Sequence, residues 1–246
     1  MAKEEDMRVR QAEPSDVDAV TDVLIMAMPA DRDWWDYRFL HREQYPEVHR
    51  RLFRLLVETW VAAEFEDWIV MVAEVYDATT CTWQMGAYAA WDVAYVNRRK
   101  HGSAYQPLSV AAVLLAAGAA TRRDADTARM TEHSRAADEA HEKFLDPLYG
   151  TNQIHLQALG THPSFTHRGL ARALCQWGQD RAARDGTVIT LSAAPMGRSV
   201  YPRFGFRELG MVTAQVEGEE TRTHLWPMVW EPKNFGCDRE ARKEFH

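Results

Sequence analysis

A chain of 246 residues with 46% hydrophobic and 11% aromatic content can bury a sizeable core, and its composition is not that of a disordered chain. Its 29 basic against 36 acidic residues leave a net charge of −7, which argues against a general nucleic-acid binder. Cys81, Cys175 and Cys237 are too scattered for a disulfide frame or a zinc site, and the most apolar run, 108–120, is shorter than the ~20 residues that span a bilayer.

The opening M-A-K-E-E-D has no apolar stretch of the signal-peptide kind, so a cytoplasmic protein with reduced thiols is expected. Alternation over Met7 to Gln11 predicts a half-buried first strand. Pro14-Ser15-Asp16 starts a helix with acidic residues in its first turn, and Val17, Val20, Leu24, Ala27 and Met28 supply its inward face. Asp31 to Leu40 is aromatic-rich, and a second helix over Glu47 to Phe65 is expected to bury Leu52, Leu55, Leu56 and Trp60. Trp68–Tyr76 and Thr82–Trp91 read as a hairpin. From about 97 to 150 come a polar stretch, an alanine-rich stretch and a charged helix packed by Ala128, Thr131, Ala136, Ala140 and Phe144. This segment reads as an insertion between the third and fourth strands.

Gln153 to Thr161 is the fourth strand, closed by Pro163. A polar loop ending at Gly169 leads to a helix over Leu170 to about Arg184. Leu170, Ala173, Leu174 and Trp177 fall on one face, with Arg172, Gln176, Gln179 and Asp180 outside it. Thr187 to Ala193 returns as a β-branched strand, and His224 to Trp230 completes the sheet. Strand, glycine-bearing loop, helix and strand form one βαβ unit. The loop reads either as an ordinary connection whose glycine fixes a tight turn or as a phosphate seat at the unpaired amides of the helix N-terminus.

Within that unit, H-P-S-F-T-H-R-G-L-A-R-A-L followed by Y-P-R-F-G-F resembles the acetyl-CoA signature of the GCN5-related N-acetyltransferase (GNAT) superfamily. The family loop reads Gln/Arg-x-x-Gly-x-Gly/Ala; here Thr166 holds the first place, and Gly169 and Ala171 match the fourth and sixth. The run H-L-Q-A-L-G-T-H-P is also similar to the fourth strand of arylalkylamine N-acetyltransferases, which carries two histidines two apart. His155 matches the first, while Gln157, which cannot titrate, replaces the second.

The resemblance implies an α/β (α+β) fold: one GNAT-like domain over 1–246, with a mixed, mostly antiparallel sheet flanked by helices, the 97–150 insertion, and a tail from about 233. It implies transfer of an acetyl group from acetyl-CoA to the amine of a small molecule, by direct attack in a ternary complex. Leu159, Gly160, Thr161, Thr166, His167, Arg168, Gly169, Leu170, Ala171 and Ser199 would hold the coenzyme. His155 would be the general base, suited by an ordinary pKa near 7, and Tyr201 the acid for the departing thiolate. Trp34, Trp35 and Gln157 would meet the acceptor. The expected partners are the amine alone, with no nucleic acid, membrane or metal, in a monomer or homodimer; His155, His162 and His167 lack an accompanying carboxylate or thiol at ligand spacing. Left open are a non-catalytic acyl-CoA-binding module, a longer acyl chain, a hydroxyl acceptor and a protein N-terminus.

Overall fold

The computed structural model describes residues 7–102, 104–233 and 235; Cys237 and most of the expected tail lie outside them. Strand β1 (Met7–Gln11) pairs antiparallel with β2 (Trp68–Asp77), which forms a hairpin with β3 (Thr82–Asp92). The register slips once, between Ala73 and Glu74, and leaves Gly86 as the extra residue of β3. A Cβ there would lie 2.5 Å from the Leu170 side chain and 3.1 Å from that of Phe165, so this bulge lets the segment around Phe165 and Leu170 pack directly on the sheet.

Between β1 and β2 run α1 (Val17–Ala27), α2 (Arg32–Arg38) and α3 (Pro46–Val61). The α1 face is as the spacing requires: Val17, Val20, Val23, Leu24 and Ala27 are buried. In α3 the buried set is Leu52, Phe53, Val57 and Trp60, while Leu55 and Leu56 are only partly covered. These helices and one face of β2 and β3 enclose a core of Val20, Trp35, Phe53, Val72 and Tyr88.

The insertion between β3 and β4 contains α4 (Tyr95–His101), α5 (Val110–Ala116), α6 (Thr127–Ala140), a π-wound segment (His141–Leu145) and α7 (Asp146–Tyr149). Asp126 caps α6 through the Arg129 amide. Ala136 and Ala140 pack inward as expected, but Ala128 and Thr131 are exposed. The inward stripe is Ala136, Ala137 and Ala140, small residues that let α6 lie close on Val212, Ala214 and Leu225, and Phe144 of the π-wound segment packs beside them as expected.

Strand β4 (Gln153–Thr161) joins β3, and α8 (Leu170–Asp185) leads to β5 (Val188–Ala193), parallel to β4. On α8 the buried face is Leu170, Leu174, Cys175, Gly178, Gln179 and Ala182. It is rotated from the expected one, because Gly178 lies on the Trp91 indole and Gln179 turns inward to donate to the Phe204 carbonyl at 2.7 Å. After α9 (Pro195–Val200) and a 3-10 turn (Tyr201–Phe204) come β6 (Arg207–Glu208), β7 (Val212–Gln215) and β8 (Arg222–Trp230). The sheet order is β1-β2-β3-β4-β5-β8-β6, with β7 on the early half of β8. Every pairing is antiparallel except β4–β5. The fold is a single mixed α/β domain with the open, mostly antiparallel sheet and helical insertion that the sequence predicts. β6 and β7 are too short for periodicity to announce.

Candidate active site

Two irregularities open the middle of the sheet. Strands β4 and β5 pair only from Gln153 with Val188 to His155 with Thr190, yet β4 continues to Thr161 and β5 to Ala193. A β-bulge falls at the same level: Ala90 opposes Ala158 and Trp91 opposes Leu156, so Gln157 is the extra residue and is exposed. Past His155 the two parallel strands therefore diverge into a wedge. The His162 amide donates to the Gly86 carbonyl on the β3 side. By strand alternation the Leu159 and Thr161 amides then point the other way, into the wedge.

At the mouth of the wedge lies the loop Thr166–Gly169, exposed throughout. His167 (φ +63°) and Gly169 (φ +89°) both take left-handed backbone, on either side of Arg168. For a residue with a Cβ this conformation is uncommon, and repeated sign changes of φ turn successive amides toward one point, the geometry of an anion nest. Gly169 is the N-cap of α8 without any side-chain cap bond, and no atom lies within 4 Å of where its Cβ would be. No side chain therefore caps the first turn of this 16-residue helix. Thr166 turns its hydroxyl back to the Pro163 carbonyl at 3.1 Å, and the Arg168 guanidinium lies 5.2 Å from the centre of the Phe165 ring. Leu170 is buried in the core and Ala171 half-buried, so they contribute backbone only.

His155 stands at the vertex of the wedge. Its Nδ1 lies 3.0 Å from Thr190 Oγ1, and its ring lies 4.6 Å from that of His141 in the π-wound segment. Burial, then His141, push its pKa well below the ordinary imidazole value, so it is neutral at physiological pH. His162 caps the 3-10 turn by accepting from the Ser164 amide at 3.2 Å. His155, His162 and His167 therefore sit at a strand middle, a strand end and a loop, not around one point.

Tyr201 begins the turn after α9 and packs edge-on to Phe206, with ring centroids 5.5 Å apart. Burial raises its pKa, so the phenol stays protonated. Its neighbour Tyr88, fully buried on β3, has a hydroxyl with no hydrogen-bond partner, and sequence reading missed it. Ser199 is exposed and donates to the Met196 carbonyl of its own helix at 3.0 Å. Cys175 is buried mid-helix, its thiol pushed up to about 12 by burial.

The two tryptophans separate. Trp35 is a core residue, stacked on Phe53 with centroids 5.2 Å apart, so it presents no free face. Trp34 is half-buried and donates from Nε1 to His133 Nε2 at 2.9 Å, with the Arg38 guanidinium 3.9 Å over its ring. Beside them α2 and β8 border an open groove of about 860 Å³, lined by Asp33, Asp36, Tyr37, Arg129, Arg222 and Trp226 among others. Pro195 reaches the same groove from the end of β5. Asp31 joins the two sides, accepting from the Met196 amide at 2.7 Å. Among the described residues no helix is long and apolar enough to cross a membrane.

Residues 148–231, which hold the wedge, the loop and Tyr201, match the family model of the acetyltransferase (GNAT) domain. This segment is a GNAT domain. The GNAT fold extends through the rest of the chain. A polyamine N-acetyltransferase of Drosophila melanogaster superposes with a TM-score of 0.56 at 12% identity, over 92% of this chain and 100% of its own. Arylalkylamine N-acetyltransferase 2 of Aedes aegypti gives 0.55 at 12% identity, over 92% and 98%. A Corynebacterium glutamicum structure of histone acetyltransferase HPA2 and related acetyltransferase gives 0.50 at 18%, over 92% and 97%. No curated protein matches the chain by sequence.

Proposed function

We propose that this GNAT chain, read as one unit over its whole length, moves an acetyl group from acetyl-CoA to the amine of a small molecule. One observation carries the reading: the β4–β5 ladder ends at His155 and Thr190 while both strands run on, with the left-handed loop at the mouth of the gap. The residues suit the coenzyme. The α8 N-terminus has no side-chain cap and the Gly169 Cβ position is uncrowded, which suits the approach of a diphosphate. The Leu159 and Thr161 amides line the path of the pantetheine arm. When bound, the coenzyme supplies an activated acetyl thioester; everything else falls to this chain.

An alkyl amine is almost wholly protonated at neutral pH, with a pKa of about 10, and must lose that proton to attack. His155, neutral and at the vertex, takes it. The wedge-facing amide of Leu159 or Thr161 stabilises negative charge on the carbonyl oxygen. Tyr201, held protonated by burial, donates to the departing thiolate. Cys175 is buried with a raised pKa, which favours direct attack over a thiol-bound acyl group. The groove with Asp33, Asp36, Tyr37 and Trp226 receives the acceptor. Arg32, Arg129 and Arg222 stand among its two carboxylates, so its shape and aromatic lining rather than net charge suit it to an amine. Trp34, next to Asp33 on α2, and the exposed bulge residue Gln157 are the further side chains we assign to the acceptor. The names of the Drosophila and Aedes proteins, both amine acetyltransferases, support the acceptor class.

The test is release of free coenzyme thiol when the protein is mixed with acetyl-CoA and a panel of polyamines, arylalkylamines and amino sugars. Turnover with at least one amine, lost in His155→Ala, is the expected result. Tight acetyl-CoA binding without turnover across the panel would replace the enzyme by a binding module.

A further inference from the structure

Gln157 leaves the fourth strand with one histidine, and the insertion supplies polar partners from elsewhere. The π-wound segment brings His141 to His155, and π-bulges are frequent at functional sites. Five residues further, Asp146 Oδ1 accepts from Gln153 Nε2 at 3.0 Å and lies 3.5 Å from His141 Nδ1. Gln153 Nε2 also donates to the Gly150 carbonyl. With its amide hydrogens directed at those two oxygens, Gln153 Oε1 acts as an acceptor, and the Thr190 hydroxyl at 2.6 Å donates to it. A longer alternative, Thr190 to the Ile154 carbonyl at 3.5 Å, spends the same proton. Either way Thr190 Oγ1 meets His155 Nδ1 as an acceptor, so Nδ1 carries the hydrogen and Nε2 the lone pair.

We propose that Asp146, Gln153 and Thr190 are positioning residues that lock His155 in its Nδ1–H tautomer, leaving Nε2 as the base, with Asp146 supplied by the insertion. This rests on the reading of His155 as the proton acceptor. The ionisable groups around it are His141 from the π-wound segment, Asp146 through Gln153, and Asp92, its cross-strand partner on β3, whose carboxylate accepts from the Ala94 amide. None of them offers Nδ1 a competing acceptor, and among the described residues Thr190 is its hydrogen-bond partner.

Long-range proton–nitrogen correlation of the ¹⁵N-labelled imidazoles reads the tautomer without reference to activity. Wild-type His155 should give the Nδ1–H pattern above its titration range. Thr190→Val should shift it to Nε2–H or a mixture and lower kcat on the order of tenfold, with KM for acetyl-CoA unchanged. Thr190→Ser, which restores the hydroxyl, should restore both. Gln153→Leu, at a partly exposed site, is the second probe should Thr190→Val fold poorly. An Nε2–H pattern in the wild type, or unchanged pattern and kcat in both Thr190→Val and Gln153→Leu, would overturn the proposal. Full kcat in His155→Ala together with the Nδ1–H signature would overturn the base reading and support the tautomer assignment.

Discussion

Gly178 of α8 rests flat against the indole of Trp91 on β3: a Cβ at that position would come within 2.3 Å of the ring. Trp91 is fully buried and faces Leu156 beside the β4 bulge, so this contact sets how near α8 lies to the wedge.

Gly178→Ala should therefore destabilise. Alanine adds about 1 kcal/mol of helix propensity, but overpacking a filled core costs about 1–3 kcal/mol, and so close an approach to a rigid ring belongs at the upper end. A net loss of roughly 2 kcal/mol, seen as a Tm lower by about 4–8 °C, is expected in thermal denaturation. An unchanged Tm would mean that α8 can slide on the sheet.

Gly169→Ala separates ligand binding from stability. The site is open but its φ is +89°, so alanine strains the backbone by about 1–2 kcal/mol. The loop relieves that strain by turning its amides away from their common focus. Titration calorimetry should show a loss of acetyl-CoA affinity larger than the change in unfolding free energy accounts for.

Tyr201→Phe keeps the ring against Phe206 and removes the proton. Turnover should slow by about 10²-fold with little change in acetyl-CoA affinity, measured by steady-state kinetics and calorimetry. Equal kcat in the variant would move the acid role to another group, with Tyr88, the buried tyrosine beside it, the first to examine.

Acid should unfold the protein earlier than its charge alone suggests. His133 and His155 are held well below their ordinary pKa, and His49 below it, each chiefly by burial. The unfolded chain protonates them first, near pH ~6.5, so stability is flat above that and falls as pH drops below it. Asp31 and Asp92, whose carboxyls burial raises, act in the opposite sense, from their raised folded values down to the unfolded carboxyl value of about 4. Denaturant melts across this range should show a midpoint that declines on the acid side. A midpoint that rises there would contradict the burial of these imidazoles.

What could be read from the chain follows the reach of each signal. The βαβ unit announced itself because strand period, loop glycine and helix period are local, and the Gly169 and Ala171 motif located the loop. The α8 face was misjudged at Gln179 because an amide with a buried partner behaves as a core residue, and the Phe204 carbonyl it finds is distant in sequence. Trp35 looked like a ligand contact only until Phe39, His49 and Phe53 enclosed it. His141 and Asp146 had no signature at all. They sit in a charged stretch of helix formers, and only π winding and the register of β4 bring them to His155 and Gln153.

The bond from the Met196 amide to Asp31 spans 165 positions of the chain yet joins neighbours in space. It ties the start of α2, which borders the groove, to α9, the helix that leads into the turn of Tyr201. On the proposed reading, the acceptor flank and the coenzyme flank therefore share one anchor. Asp31→Asn, which leaves an acceptor in place but alters its charge, is a direct handle on that link.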